Sequence, residues 1–107
     1  MPKNRETSLK QNLFYMYTLS VIQPARLQDI IRYAPSILPA HALETLKEDD
    51  IRCVHQRMRE NSNIYQVRRG TYCLTTVARR KLSEAGLERT LANQRLFLMK
   101  SQRKKLE

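Results

Sequence analysis

The sequence predicts a mainly helical α+β domain that carries one small β-hairpin. The hairpin is predicted by residues 64–75, IYQVRRGTYCLT, where two alternating apolar runs meet at Arg69 and Gly70. Helices are predicted on both sides of it, because apolar side chains recur there every three or four residues. A chain of 107 residues has room for one modest core, and an isolated hairpin is not stable. We therefore expect the helices to cover the apolar face of the hairpin.

The register of the hairpin is predicted from its turn. A two-residue loop at positions 69 and 70 would place Val67 opposite Tyr72. Tyr65 would then face Leu74 on the same side of the sheet, which is the buried side. The glycine supplies the positive φ of a tight turn, but the arginine before it is a poor residue for such a turn, so a turn with a bulge fits equally well. Both tyrosines are expected in the core.

Capping residues and prolines set the bounds of the predicted helices. Thr7 or Ser8 caps the first helix, which Pro24 stops. Asp49 and Asp50 cap the helix that precedes the hairpin, and Thr75 or Thr76 caps the helix that follows it. The helical segments are residues 8–22, 25–34, 51–61 and 77–86, with a further short helix compatible with 40–47 and a last one over 87–102. We expect one domain over 8–86, a flexible N-terminus at 1–7 and a basic tail at 103–107.

The helix before the hairpin is predicted to be amphipathic. Ile51, Val54 and Met58 share its buried face. Three polar side chains with long reach lie on the opposite, solvent-facing side, and they are Arg52, Gln56 and Arg59.

The chain is strongly basic. Twenty Lys and Arg against ten Asp and Glu give a formal net charge of +10 and a pI near 10.1, which points to a nucleic acid or an anionic membrane surface as partner. Residues 51–81 hold eight cations and one anion, a net charge of +7 (8 minus 1). No apolar run approaches the roughly 18 residues of a membrane span, and the N-terminus lacks the apolar stretch of a signal peptide. The sequence thus predicts an intracellular soluble protein.

Catalytic and metal-binding patterns are absent from the sequence. Cys53 and Cys73 are too few for a disulfide framework, and their spacing with the two histidines matches no zinc pattern. Residues 48–50 with His55 could hold a metal, but carboxylates at a helix start are far more often caps. There is no phosphate-binding glycine loop and no nucleophile motif. We expect no metal, cofactor, small-molecule ligand or enzymatic activity.

The order of the predicted elements resembles a winged helix-turn-helix domain. RLQDII would be the second helix, DDIRCVHQRMREN the recognition helix, and IYQVRRGTYCLTTVARRKL the wing with the helix after it. The combination is similar to the winged helices at the N-terminus of Mrr-type restriction endonucleases and to HARE-type domains, over roughly residues 8–86. PSILPAHALETLKE is longer than the usual turn, and the chain has no nuclease domain, so restriction activity does not carry over.

The resemblance implies contact with duplex DNA. The third helix would enter the major groove, and the hairpin tip would lie beside the duplex. Arg52, Gln56 and Arg59 would read base edges, because Arg pairs bidentately with guanine and Gln with adenine. The side chains expected on phosphates or in the minor groove are Arg57, Arg68, Arg69, Arg79, Arg80 and Lys81.

Two apolar stripes in the last predicted helix indicate a homodimer. One stripe can pack on the domain, and the other would form an exposed apolar patch with the outer side of the first helix, which a second copy would cover. The alternative is a last helix that folds back over its own domain. The candidate interface residues are Phe14, Val21, Ile22, Leu91, Leu96, Leu98 and Met99.

The function expected on these grounds is sequence-specific binding of double-stranded DNA. The simplest such protein is a small prokaryotic, plasmid or phage transcriptional regulator, cytoplasmic and associated with the nucleoid. Two alternatives stay open: an adaptor or accessory subunit that binds protein within a DNA-processing or defence assembly, and an RNA-binding module.

Overall fold

The structure, a computed structural model, describes residues 5–85, with side chains from Thr7 onward. Helices account for about 70% of this part of the chain, which confirms the predicted mainly helical α+β class. The predicted segments at 87–102 and 103–107 lie outside the described residues. The described elements, in order, are α1 (Arg5–Ile22), β1 (Ala25–Arg26), α2 (Leu27–Ile37), α3 (Ala40–Thr45), α4 (Glu48–Glu60), β2 (Ile64–Arg68), β3 (Thr71–Leu74) and α5 (Thr76–Glu84).

The strands form one antiparallel sheet in the order β1-β3-β2. The sequence did not predict β1, which places Ala25 opposite Tyr72 and Arg26 opposite Thr71. A strand of two residues is too short to show an alternating pattern, so only its pairing with β3 reveals it. This third strand joins the chain after α1 to the hairpin.

The hairpin of β2 and β3 contains a β-bulge. Arg68 faces Thr71, as the two-residue loop predicts. Gln66, however, faces Tyr72, so Val67 is an extra residue in β2. The alternative turn with a bulge is therefore the one that forms.

The bulge overturns the predicted pairing of β2, because a shift of one residue turns each side chain to the other face. Tyr65 faces Cys73 instead of Leu74 and is 50% exposed. Val67 is 43% exposed. The predicted burial of these two side chains is wrong, whereas Tyr72 on the central strand is buried as expected.

The core is built around the second half of α1. Leu9, in the first half of α1, is 55% exposed, and the buried side chains of this helix begin at Gln11. α2, α4, β3 and α5 each bury apolar residues against α1 or its neighbours. The most deeply buried large side chains include Tyr15, Met16, Leu19, Ile30, Leu46, Val54, Met58, Leu74 and Leu82.

The second helix is longer than the sequence predicts. It continues through Pro35 to its end at Ile37, where a stop after Ala34 is expected. A proline has no N–H to donate to the carbonyl four residues earlier in a helix, so one helical hydrogen bond is missing here. Pro35 is exposed to solvent. Of the apolar side chains of α2, Ile30 is buried, whereas Leu27 and Ile31 are half-buried.

Candidate nucleic-acid interface

The fourth helix begins three residues earlier than predicted, at Glu48, so Asp49 and Asp50 lie in its acidic first turn instead of before it. The backbone N–H of Lys47, the residue before the helix, donates to Oδ2 of Asp50 at 3.0 Å, which satisfies one terminal group as a cap does. Ile51, Val54 and Met58 are each at most 3% exposed, so the predicted buried face is confirmed. The opposite side of α4 is consequently turned outward.

Arg52, Gln56 and Arg59 are all exposed on that outward side, as predicted. These three residues are called the basic face of α4 below. They surround an open pocket of about 540 Å³, whose lining also includes His55 and Glu60. The pocket gives a ligand access to several hydrogen-bonding groups at once.

The contacts within the basic face are weak and exposed. A guanidinium nitrogen of Arg52 lies 3.9 Å from a carboxylate oxygen of Glu48, with both side chains more than half exposed, so solvent screens the pair. The amide nitrogen of Gln56 donates to Glu60 at 3.1 Å on the surface. A ligand could displace either contact at small cost.

Beneath the basic face lies a buried cluster of three rings. The hydroxyl of Tyr15 is 2.6 Å from Nδ1 of His55. The imidazole meets the ring of Tyr72 edge-on, with centroids 4.9 Å apart and an interplanar angle of 83°. The guanidinium of Arg59 lies 5.7 Å from the centroid of the same Tyr72 ring, a cation–π distance. The cluster thus links α1, α4 and β3 and supports one side chain of the basic face.

Sequence reasoning assigned His55 no DNA-binding role and weighed it only as a metal ligand. It lies one position from Val54 and three from Arg52, at the edge between the buried and exposed sides of α4. The residue is 8% exposed. A polar residue at the boundary of the apolar face was the feature of the sequence that could have indicated a role for His55.

Burial sets the protonation of this cluster. Burial first, and the charge of Arg59 second, lower the pKa of His55 below its usual 6.5, so the imidazole is neutral at pH 7. Burial, with a smaller effect of Tyr72, raises the pKa of Tyr15, so its hydroxyl keeps its proton. The Tyr15–His55 hydrogen bond therefore joins two neutral groups.

We expect the free energy of unfolding to fall as the pH is lowered below 6.5. The unfolded chain then takes up a proton on His55 that the folded chain resists, so the contribution is present above pH 6.5 and is lost as the pH falls through the folded-state pKa. Urea unfolding between pH 7.5 and pH 5 measures it. His55→Gln should flatten that part of the profile and His41→Gln, at an exposed position, should not; equal profiles for the two variants would contradict the assignment.

Four arginines extend the positive surface beyond α4. Arg68 and Arg69 are exposed at the hairpin turn, and Arg79 and Arg80 are exposed on α5. Helix α5 begins as predicted, with Oγ1 of Thr75 accepting from the N–H of Ala78 at 3.3 Å. Within residues 7–85, no hydrogen bond or ion pair holds these four guanidinium groups.

Two other cations already have partners within the protein. The guanidinium of Arg57 donates to Oδ1 of Asn12 at 2.8 Å and is half-buried between α4 and α1. Nζ of Lys81 donates to Oδ1 of Asn63 at 3.0 Å. Their positive charge adds to the local potential, but their donors help to hold the fold together.

The acidic first turn of α4 interrupts this basic surface. Glu48 and Asp49 are exposed there, and they would repel phosphates at that end of the helix. Among the described residues, no group of three or more His, Cys, Asp or Glu side chains is arranged to hold a metal ion. None of the helices between residues 5 and 85 has the length and apolar character needed to cross a membrane.

The candidate dimer residues fall in two groups. Phe14, Val21 and Ile22 are half-buried and pack against the core, so they are less open than the sequence predicts. The remaining candidates lie outside the described residues, and these are Leu91, Leu96, Leu98 and Met99.

Fold and surface together define a small α+β domain in which a basic helix face lies beside an arginine-tipped hairpin, an arrangement compatible with a winged helix. In comparisons with known protein families, curated proteins and solved structures, we found no match to this chain.

Proposed function

We propose that this chain is a sequence-specific double-stranded DNA-binding protein with a winged helix-turn-helix fold. In this proposal α4 is the recognition helix, and the hairpin of β2 and β3 is the wing. The observation that carries it is the exposure of Arg52, Gln56 and Arg59 on one face of α4, on the same domain as a hairpin tip with Arg68 and Arg69. A helix presents such a face to base edges, while a flanking hairpin reaches the sugar-phosphate backbone.

The order of elements supports this proposal. A helix, a short strand, further helices and a two-stranded hairpin follow one another, and the first strand pairs with the second strand of the hairpin. The α3 helix lies in the long connection between α2 and α4, which accounts for the unusual length of that turn. The simplest role for such a domain is transcriptional regulation by occupancy of a DNA site in a prokaryote, plasmid or phage.

A second candidate is an adaptor that binds protein, and a specific observation favours it. The exposed carboxylates of Glu48 and Asp49 stand at the start of α4, and Tyr65 and Val67 expose apolar surface on the edge strand of the sheet. Both features suit a protein surface better than a phosphate backbone.

Selection of bound duplexes from a random pool by the full chain, at low salt, tests the leading proposal. We expect enrichment of a defined sequence, with duplex RNA as a weak competitor. No retention of any duplex would contradict DNA binding, and stronger competition by RNA would favour the RNA-binding alternative.

We expect the two basic surfaces to have different effects on sequence preference. Replacing Arg52, Gln56 or Arg59 with alanine should reduce discrimination between bases by about 1 to 3 kcal/mol where a base pair is read. Arg68→Ala and Arg69→Ala should weaken binding to every sequence alike, because phosphate contacts carry no sequence information. Binding of each variant to the selected duplex and to a scrambled duplex separates the two effects. Five variants that bind like the parent would refute this docking arrangement.

The proposal includes a two-fold symmetric homodimer. A dimer would present two α4 helices, so the selected site should be an inverted repeat with half-sites about 10 base pairs apart or a multiple of that. Light scattering of the parent at micromolar concentration should give twice the mass of the 12.7 kDa chain. Leu96→Glu and Leu98→Glu should reduce that mass. A monomeric parent would rule out the dimer and favour a last helix that covers its own domain.

A further inference from the structure

His55 lines the pocket that the basic face of α4 offers to a ligand. Positions 52, 55, 56 and 59 are neighbours on a helix, since residues three and four apart lie side by side. The imidazole is buried except for its part of the pocket between Arg52 and Arg59, which it lines. Its Nδ1 is engaged by Tyr15. Within residues 7–85 no group pairs with the other ring nitrogen, Nε2, and it is not among the fully buried atoms, so Nε2 is the nitrogen of His55 that a ligand could reach.

The hydroxyl of Tyr15 determines which nitrogen of His55 carries the hydrogen. A neutral imidazole has one donor nitrogen and one acceptor nitrogen. Tyr15 is fully buried, and within residues 7–85 its hydroxyl has no hydrogen-bond acceptor other than Nδ1 of His55. The hydroxyl must donate to Nδ1, because a buried donor without an acceptor is costly. The hydrogen of the imidazole is then on Nε2, which becomes a fixed donor.

The hydrogen-bonding groups of the pocket are consequently biased toward donors. The guanidinium groups of Arg52 and Arg59 only donate, and Nε2–H of His55 is a third donor. The acceptors in the pocket lining are the carboxylate of Glu60 and Oε1 of Gln56, and the carboxylate already accepts from the amide nitrogen of Gln56. A ligand that fits the three donors of Arg52, His55 and Arg59 presents acceptors to them.

Guanine is the base whose major-groove edge has this character. It offers N7 and O6 as acceptors, whereas adenine pairs an acceptor with a donor, cytosine offers a donor, and thymine offers one acceptor beside a methyl group. We propose that His55 is a specificity-determining residue, whose Nε2–H donates to N7 of a guanine in the major groove, so that the recognised site has guanine opposite the centre of α4. This inference rests on the proposed function, because it requires duplex DNA against the basic face.

The hydrogen position can be tested without DNA. Long-range proton–nitrogen NMR spectra of the full chain distinguish a protonated from an unprotonated ring nitrogen, and His41→Gln assigns the His55 signals. We expect an unprotonated Nδ1 in the parent and a mixture of both forms in Tyr15→Phe, which lacks the hydroxyl. A hydrogen on Nδ1 in the parent would overturn the inference.

Modified bases test the contact in the parent protein. In the selected duplex, 7-deazaguanine replaces each guanine in turn and removes the N7 acceptor from the major groove. Inosine is the matched control, because it keeps N7 and O6 and lacks only the minor-groove amino group. We expect weaker binding with 7-deazaguanine, by about 5- to 150-fold at one or more positions, and little change with inosine there.

Two variants connect the effect to His55. His55→Gln keeps an N–H donor near the position of Nε2 and should keep the sensitivity to 7-deazaguanine, while His55→Phe keeps a ring without a donor and should lose it at one position. Selected sites without guanine, or indifference to 7-deazaguanine everywhere, would overturn this inference alone. Failure to bind any duplex would overturn the proposed function as well.

Discussion

Affinity for duplex DNA is expected to fall steeply with salt concentration. A plot of the logarithm of the binding constant against the logarithm of the salt concentration should have a slope of about −4 or steeper, because about five neutralised phosphates each contribute roughly −0.9. Four exposed arginines without internal partners in the described part of the chain, two on the hairpin turn and two on α5, would supply most of these contacts. A slope of −4 corresponds to a loss of about 250-fold between 50 and 200 mM salt. Titration of a labelled duplex at several salt concentrations measures it.

A matched pair of variants tests where the phosphates bind. Arg68→Ala should make the slope shallower by about 1, because one phosphate contact is lost. Lys10→Ala removes the same charge from α1, outside the proposed interface, and should leave the slope unchanged. Equal effects of the two substitutions would mean that overall charge, not the hairpin, attracts the DNA. A slope near zero would contradict an electrostatic interface altogether.

His55→Ala is expected to lower the free energy of unfolding by about 2 to 4 kcal/mol. The substitution leaves a cavity where the imidazole stood and strands the fully buried hydroxyl of Tyr15. The total free energy of unfolding of most domains is only about 5 to 15 kcal/mol, so urea unfolding at pH 7.5 should detect this loss readily. The ring of Tyr72 would also lose its edge-on neighbour.

The neighbouring Gln56→Ala is the control, because the side chain is exposed and its loss should change stability by no more than about 0.5 kcal/mol. A double variant with Tyr15→Phe removes both ends of the buried hydrogen bond. Its loss of unfolding free energy should be smaller than the sum of the losses in the two single variants, by about 0.5 to 3 kcal/mol, because no buried hydroxyl is then left without a partner. Strict additivity would show that the Tyr15–His55 hydrogen bond contributes nothing to stability.

Much of the candidate site is predictable because it depends on local periodicity. The exposure of Arg52, Gln56 and Arg59 follows from the burial of the opposite face of α4. Helical geometry alone determines which side chains share a face, whatever the helix packs against. The cap at Thr75 is equally local, since it involves groups three residues apart. The dimer and the DNA contacts stay predictions.

The inward side of the site was not predictable in the same way. Arg57 looks like any other exposed arginine of a basic helix, yet its partner Asn12 lies 45 positions away. Tyr15 and His55 are 40 positions apart, and no local sequence pattern around either residue predicts their hydrogen bond. Both contacts depend on how α1 crosses α4.

By itself the sequence determined the helical content, the buried and exposed faces of α4, the hairpin and its arginine tip, and the concentration of positive charge along residues 51–81. These features depend on the spacing of residue types within one element, which the chain carries locally. Only the tertiary structure decided the pairing of β1, the bulge at Val67 with the exposure of Tyr65, and the hydrogen bond that orients His55. Each of these features depends on the position of a second segment that is distant in sequence. A strand forms its hydrogen bonds only with a partner strand, and a buried polar group is satisfied only when its hydrogen-bond partner is in place.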